Sequence, residues 1–281
     1  MEERTQNLFK ELLSSGSGKV GIAFIIALII ISLGVIIIYP PDFGLKYWSN
    51  PVLWADNPRA APPAWTNLFS SYNQAETVIF ETNIPTERIP GVSTTKVLYT
   101  FNLNHKADEP PSFISMTVGN IKYNNRPPVL IVNIERPDGN KIELYRLIVP
   151  GPLPNEVTPF ARFSETPFRK QLSGDHEVVA AVSNFLKQEF DVSISNQDLL
   201  LSGVDIAVFG TPQDDGKFDV LRGLYKIQVD AFLYNEDDSI GSVKFVAGGS
   251  VHGFMGTDTL GRDLSIGLLF GFPVALFIGL V

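Results

Sequence analysis

The stretch VGIAFIIALIIISLGVIII, residues 20–38, contains no charged side chain. At about 1.5 Å per residue, a helix of this length spans roughly 28 Å, which is close to the hydrocarbon thickness of a bilayer. A helix also satisfies its own backbone hydrogen bonds in lipid. The stretch therefore predicts a transmembrane helix over residues 20–39, and Pro40 and Pro41 end it.

A cleaved signal peptide is the main alternative, and a buried core helix is a lesser one. The apolar run exceeds the apolar region of a typical signal peptide, and residues 36–40 offer no small-residue cleavage site. The leading segment carries Arg4, Lys10 and Lys19, which is a slight positive bias. We therefore expect residues 1–19 to be a cytoplasmic tail and residues 40–263 to be extracytoplasmic, with the chain in the plasma membrane.

The outer region is acidic and lacks cysteine. Residues 40–257 contain 18 lysines and arginines against 25 aspartates and glutamates. A negative surface repels phosphates, so a nucleic-acid partner is not expected. Without cysteine there is no disulfide and no thiolate metal site, so this region must be stabilised by its own core.

Residues 40–75 are rich in proline and contain all three tryptophans, Trp48, Trp54 and Trp65. The proline density predicts an extended, non-helical connector. The tryptophans have two open interpretations. They could lie in the interfacial belt of a membrane, or they could pack on the outer domain.

Residues 76–252 alternate mostly with period two and predict a β-rich domain. Residues 127–150 predict a hairpin with the turn Pro137-Asp138-Gly139-Asn140, and residues 224–234 predict a second hairpin with the apolar segment that follows them. Asp175 can cap one helix, whose apolar stripe suits packing on a sheet. We therefore expect an extracytoplasmic β-sandwich-like domain with one covering helix. The stripe contains these residues: Val178, Val179, Val182, Phe185, Leu186 and Phe190.

No pattern of catalytic or metal-binding residues is evident. The histidines His105, His176 and His252 are widely spaced and form no HExxH motif. Residues 248–252 differ from a nucleophile elbow at the final position, so their glycines are interpreted as relieving a bend at a strand end. The acidic clusters at 214–215 and 236–238 are interpreted as solvated turns, and residues 16–19 as a flexible linker. We expect no catalytic residue, no metal and no cofactor.

The segment GFMGTDTLGRDL, residues 253–264, precedes an uncharged apolar tail. Thr257 or Asp258 suits the N-cap of a helix at a membrane surface, and Arg262 is expected to pair with the adjacent Asp263. Glycine and proline interrupt the tail, which is typical of a span packed against other spans. We expect an interfacial helix within residues 253–272 and the start of a second membrane helix at 273–281.

The stretch GTDTLGRDLSIGLLFGFPVALFIGLV resembles the GTDxxGRDxxSRxxxGxxxSLxxG signature of the permease subunits of dipeptide/oligopeptide/nickel-type ABC transporters. The Pro-rich NPRAAPPAW stretch also resembles a segment that follows the first span in some of these permeases. The resemblance covers roughly a third of the chain. Six residues carry the motif: Gly256, Thr257, Asp258, Gly261, Arg262 and Asp263.

This resemblance implies a multi-pass permease subunit that moves peptides or similar solutes. It implies four kinds of contact: a second permease subunit, cytoplasmic ATPase subunits, an extracytoplasmic substrate-binding protein, and the lipid bilayer. ATP hydrolysis would reside in the ATPase subunits, so the chain is not expected to be an enzyme.

The sequence departs from the pattern at Ile266 and Ala275, and its outer insertion is large for the family. The pore-forming helices and the coupling loop of the family would follow residue 281, so we expect the sequence to be an N-terminal portion. The alternative function is a membrane-tethered surface β-sandwich domain that binds a ligand or partner.

Overall fold

The computed structural model describes residues 14–40 and 42–280. Within them, helix α1 (Gly16–Ile38) is the one helix long and apolar enough to cross a membrane. Most of the predicted tail, residues 1–19, lies outside the described residues. Residues 16–19 do not form a flexible linker but the first turn of α1, because the Ser15 side chain accepts a hydrogen bond from the Gly18 amide at 3.0 Å.

The connector is not extended throughout, contrary to the prediction. A short π-helix covers Gly44–Trp48, turns follow it, and a 3₁₀ helix covers Ala64–Phe69. The described prolines lie outside these short helices, and Pro63 occupies the N-cap of the second one. A proline is tolerated there because its missing N–H would have no partner inside the helix.

Two antiparallel sheets form the body of the β domain, with a separate β9–β10 pair. The first sheet has the order β1-β12-β4-β7, and β8 also pairs with β4. The second has the order β2-β3-β11-β5-β6. In the described residues the strands are β1 (Val78–Thr82), β2 (Glu87–Pro90), β3 (Thr95–His105), β4 (Phe113–Tyr123), β5 (Val129–Glu135), β6 (Lys141–Ile148), β7 (Phe160–Arg162), β8 (Phe168–Gln171), β9 (Gly210–Pro212), β10 (Phe218–Val220), β11 (Gly223–Leu233) and β12 (Ser239–Gly248).

A single hydrophobic core contains residues from both sheets, so the predicted sandwich-like, mainly β domain is confirmed. The predicted inward face of β11 is buried at alternate positions from Tyr225 to Leu233, as the period-two pattern requires. The hairpin over residues 127–150 is also confirmed. Strands β5 and β6 pair across the turn that contains Gly139, whose φ of +88° suits glycine.

The second predicted hairpin is wrong. Strand β11 pairs with β3 and β5 in the second sheet, whereas β12 pairs with β1 and β4 in the first. The intervening turn therefore carries the chain between the sheets. The buried carboxylate of Asp238 holds it, since its oxygens accept hydrogen bonds from the amides of Asn124, Tyr234 and Asn235 at 2.9–3.1 Å.

Three helices cover the domain rather than the one predicted. Helix α2 (His176–Phe190) begins at Asp175, whose carboxylate caps it as expected, and it packs its apolar stripe against β6. Helices α3 (Asn196–Ser202) and α4 (Val204–Val208) follow it. The sequence signal for α3 is the pair Ser195 and Asp198, because the Ser195 hydroxyl accepts the Asp198 amide at 3.1 Å in a capping turn.

Arg136, which follows β5, joins the second sheet to these helices. Its side chain is 0% exposed, and it pairs with Asp138 at 2.9 Å. Nη1 donates to the Ala207 carbonyl oxygen of α4 at 2.8 Å. The rings of Phe185 and Phe190 lie 5.3 and 5.6 Å from the guanidinium carbon. The buried charge is therefore paired, hydrogen-bonded and enclosed by aromatic faces.

Asp205 on α4 is a second buried ionisable residue in this layer. It is 5% exposed, and its Oδ1 accepts a hydrogen bond from the Ser173 hydroxyl at 2.9 Å. Burial raises its pKa to about 7 and outweighs the opposing hydrogen bond. The folded chain therefore holds this proton at pH values where the unfolded chain has released it.

We expect the free energy of unfolding to gain a pH dependence from Asp205. Its pKa in the folded chain lies above the ordinary aspartate value of 3.8, so its contribution to stability becomes less favourable as pH rises from about 4 to about 7. The change amounts to a few kcal/mol, at roughly 1.4 kcal/mol per pKa unit. Urea titrations at several pH values measure this dependence. The free energy of unfolding of an Asp205→Asn variant should not fall over this pH range. An Asp219→Asn variant, changed at an exposed strand position, should keep the pH dependence of the wild type. Equal pH profiles for the wild type and Asp205→Asn would contradict the raised pKa of Asp205.

The last helix, α5 (Leu264–Leu280), is a shorter apolar helix that packs against α1 and includes Pro273 within its length. The chain enters and leaves the β domain at neighbouring points. Glu76 and Val251 form a parallel bridge, and the Ala75 carbonyl oxygen accepts the Ser250 amide at 2.8 Å. The two apolar helices flank the β domain in sequence, α1 before Glu76 and α5 after Val251.

Candidate functional site at the junction of the apolar helices and the β domain

The six motif residues lie together in one closed loop between β12 and α5. The loop is closed by a bridge between Thr257 and Asp263 and by the Asp258 amide, which donates to the Arg262 carbonyl oxygen at 3.1 Å. The Asp258 carboxylate accepts the amides of Leu260 and Arg262, both at 2.9 Å, and Nε of Arg262 at 2.6 Å. One carboxylate thus organises the whole loop.

Burial alone would raise the pKa of Asp258, but the hydrogen bonds from Arg262 and Leu260 outweigh burial and lower it. Asp258 therefore stays ionised in the loop. The expected pairing of Arg262 with Asp263 is wrong, since the guanidinium pairs with Asp258 at 2.6 Å instead.

The predicted helix N-cap, Thr257 or Asp258, is also wrong. Helix α5 begins at Leu264, and the Asp263 carboxylate accepts the Ser265 amide at 2.8 Å, which is the capping arrangement. Asp258 faces its own loop instead of the helix. His252 lies behind the cap, with Nε2 at 3.8 Å from the Asp263 carboxylate.

Thr257 connects the motif loop to the connector. Its hydroxyl donates to the Pro58 carbonyl oxygen at 2.7 Å and accepts the Ala61 amide at 3.0 Å. The Thr257 amide donates to the Ala61 carbonyl oxygen at 2.9 Å, and the Ala60 amide donates to the Asp258 carbonyl oxygen at 2.8 Å. The NPRAAPPAW stretch therefore pairs with the motif through backbone groups, which sequence reasoning did not identify.

Two motif glycines allow this close approach. Gly256 has a φ of +77°, and a Cβ there would lie 2.2 Å from the Ala61 carbonyl oxygen. Gly261 has a φ of +81°, and a Cβ there would lie 2.9 Å from the Trp54 carbonyl oxygen. Asn57 Nδ2 also donates to the Gly261 carbonyl oxygen at 3.0 Å. Both glycines are required by conformation and by space.

Two of the three tryptophans pack inside this junction. Trp48 and Trp54 meet edge to face with ring centroids 5.6 Å apart. The Arg262 guanidinium lies over the Trp48 ring at 4.7 Å, and Gly267 of α5 faces the same ring. Trp65 is half exposed and donates through Nε1 to a loop carbonyl oxygen at 2.8 Å. The motif arginine and the start of α5 thus share one aromatic support.

Asp56 fixes the connector to the first sheet. Its carboxylate pairs with Arg169 of β8 at 3.0 Å and with Lys244 of β12 at 2.8 Å. Burial would raise the pKa of Asp56, but hydrogen bonds from Lys244 and Arg169 outweigh burial and lower it. The β domain, the connector and the motif loop therefore form a continuous set of contacts.

The contacts described above hold the motif loop, the connector and the start of α5 in place. Among the described residues, no group of three histidine, aspartate or glutamate side chains could hold a metal ion. His105 lies in β3, His176 begins α2 and His252 follows β12. The glycines at the end of β12 are explained by close packing, because a Cβ on Gly248 would overlap the Phe113 ring and one on Gly249 would overlap the Ala75 carbonyl oxygen.

Comparison with models of protein families gave no match, and comparison with curated protein sequences gave none either. The junction is thus defined by its own geometry: a closed motif loop hydrogen-bonded to the connector, with an apolar helix on each side of it in the chain.

Proposed function

We propose that this chain is the N-terminal portion of a membrane-spanning permease subunit in an ABC importer for peptides or similar solutes. Helix α1 crosses the plasma membrane, residues 40–263 are extracytoplasmic, and α5 enters the membrane again in a multi-pass protein. A binding protein delivers the solute from outside, and ATPase subunits in the cytoplasm power its passage together with a second permease subunit.

The observation that supports this proposal best is the set of contacts made by the six motif residues. Asp258 and Arg262 pair within the loop, and Thr257 bonds the connector. Asp263 caps α5, so these motif side chains have distinct structural roles. A simple tether between a domain and a membrane needs none of these contacts. In a permease that changes conformation, defined contacts between the outer domain and the helices allow them to move together as a rigid body.

The experiment is purification of the tagged protein from membranes of the cells that produce it, followed by reconstitution in liposomes. We expect ATPase subunits and a second permease subunit to purify with it, and we expect ATP hydrolysis to drive uptake of a labelled peptide. Purification without an ATPase subunit would overturn the proposal and favour the alternative, a membrane-tethered β-sandwich domain that binds a ligand or partner.

An Asp258→Ala variant should lower ATP-driven uptake by roughly tenfold or more, because three hydrogen bonds that close the motif loop are lost. The amount of protein in the membrane should change little. The matched control is Asp215→Ala, since Asp215 also closes a turn by accepting a backbone amide, that of Lys217 at 3.0 Å, but far from the junction in sequence. Equal uptake by both variants would count against a coupling role for the motif.

A further inference from the structure

A cleft of about 460 Å³ lies between the connector and the first sheet. Its walls come from the connector, from β8 and the start of β4, and from the segment after β12, and Leu260 of the motif loop borders it. The volume is within the range of small-molecule sites, about 300–1,000 Å³. Two arginines, Arg59 and Arg169, and the amide of Gln171 line the cleft.

These three side chains retain unused hydrogen-bonding capacity. Arg169 is held in place by Asp56 at 3.0 Å and by the Ala55 carbonyl oxygen at 2.6 Å, through Nε and Nη2. Within the described part of the chain, no hydrogen bond or ion pair uses Nη1 of Arg169 or the guanidinium of Arg59. A fixed guanidinium with a free N–H group is a preorganised donor for an oxyanion.

The described residues that line the cleft include basic but no acidic side chains, although the chain as a whole is acidic. No lining residue is acidic among those that the structure describes. Three carboxylates that contact lining residues are already paired: Asp56 with Arg169 and Lys244, Glu109 with the Ser250 hydroxyl, and Asp258 with Arg262 and the Leu260 amide. The charged side chains that line the cleft are therefore both cationic.

The remaining walls are partly apolar. Pro51, Pro58, Phe113 and Leu260 supply surface that can cover the carbon atoms of a solute. A site lined by two arginines, an amide and apolar side chains fits a small organic carboxylate better than inorganic phosphate, which has no apolar part to bury.

We propose that this cleft binds the carboxylate group of a small organic solute, with Arg59, Arg169 Nη1 and Gln171 as donors. The use of a short peptide as probe rests on the proposed transport function, whereas the carboxylate chemistry does not. Because Leu260 belongs to both the cleft and the motif loop, an occupied cleft contacts the junction directly.

The test is calorimetric titration of the full chain, purified in an uncharged detergent, with trialanine and with trialanine amide. We expect trialanine to bind and the amide to bind about tenfold more weakly or worse, since the amide cannot form a charge-assisted hydrogen bond with an arginine. An Arg59→Gln variant should weaken trialanine binding about fivefold or more, and Gln171→Ala should weaken it less.

The matched control is Arg88→Gln, which removes the same charge from β2, a strand of the other sheet. It should leave binding unchanged. Absence of trialanine binding, equal binding of the amide, or an unchanged Arg59→Gln variant would overturn the inference. Displacement of trialanine by phosphatidylglycerol, but not by phosphatidylcholine, would assign the cleft to a lipid phosphate and also overturn it. None of these titrations requires ATPase subunits, so failure here is distinguishable from failure of the proposed function.

Discussion

A Gly256→Ala variant should open the junction between the motif loop and the connector. The left-handed backbone at φ +77° costs a residue with a Cβ about 1–2 kcal/mol. The new Cβ would also displace the Ala61 carbonyl oxygen, which breaks hydrogen bonds to Thr257 worth about 1 kcal/mol each. We expect a local loss of about 3 kcal/mol or more, measured as roughly 100-fold faster hydrogen exchange in peptides covering residues 55–65 and 253–264.

The matched control is Gly216→Ala, because Gly216 has a φ of +80° but no atom within 4 Å of a Cβ built there. Gly216→Ala therefore has the cost of the left-handed backbone but no overlap of the new Cβ with neighbouring atoms. It should therefore cost about 1–2 kcal/mol in its own turn and leave exchange at the junction unchanged. If Gly256→Ala were no worse than Gly216→Ala, the close contact with Ala61 would not be a constraint.

An Arg136→Ala variant should destabilise the β domain by about 3–5 kcal/mol. The change removes a fully buried guanidinium, leaves the Ala207 carbonyl oxygen without its donor, and empties the space beside the rings of Phe185 and Phe190. Asp138 also loses its cation. Urea unfolding followed by the β-sheet circular dichroism signal measures this difference as a lower midpoint.

Arg146→Ala is the control for Arg136, since Arg146 lies on the adjacent strand β6 and pairs with Glu143 at the surface. Exposed ion pairs contribute about 0–1 kcal/mol, so its midpoint should barely move. A similar loss of stability in both variants would mean that the burial of Arg136 adds nothing to its contribution.

The strand pattern was predictable where burial is decided locally. The inward face of β11 and the β5–β6 turn follow from alternation and from a glycine with positive φ. The pairing of β12 was not predictable in the same way. A turn has the same polar sequence whether the chain returns to the same sheet or crosses to the other. The hydrogen bond that holds this turn comes from the amide of the distant Asn124 to Asp238.

The motif residues could be located from sequence, but their partners could not. Thr257 contacts Pro58 and Ala61 through backbone atoms about 200 residues away in the chain, and any residue type supplies a carbonyl oxygen or, except proline, an amide. The helix cap was misplaced for a related reason. Thr257, Asp258 and Asp263 all suit an N-cap. The Thr257 side chain bonds the connector and the Asp258 carboxylate bonds its own loop, which leaves Asp263 to start α5.

The bridge between Glu76 and Val251 has a consequence for how this architecture can arise and be altered. When the two ends of a folded unit lie close together, the unit can be gained, exchanged or deleted without moving apart the segments that it connects. Joining Ala75 to Val251 through a few glycines would excise the sandwich while leaving the pairing of Thr257 with Ala61 intact. A shortened chain of this kind would keep the two apolar helices together with the two short segments that pair between them.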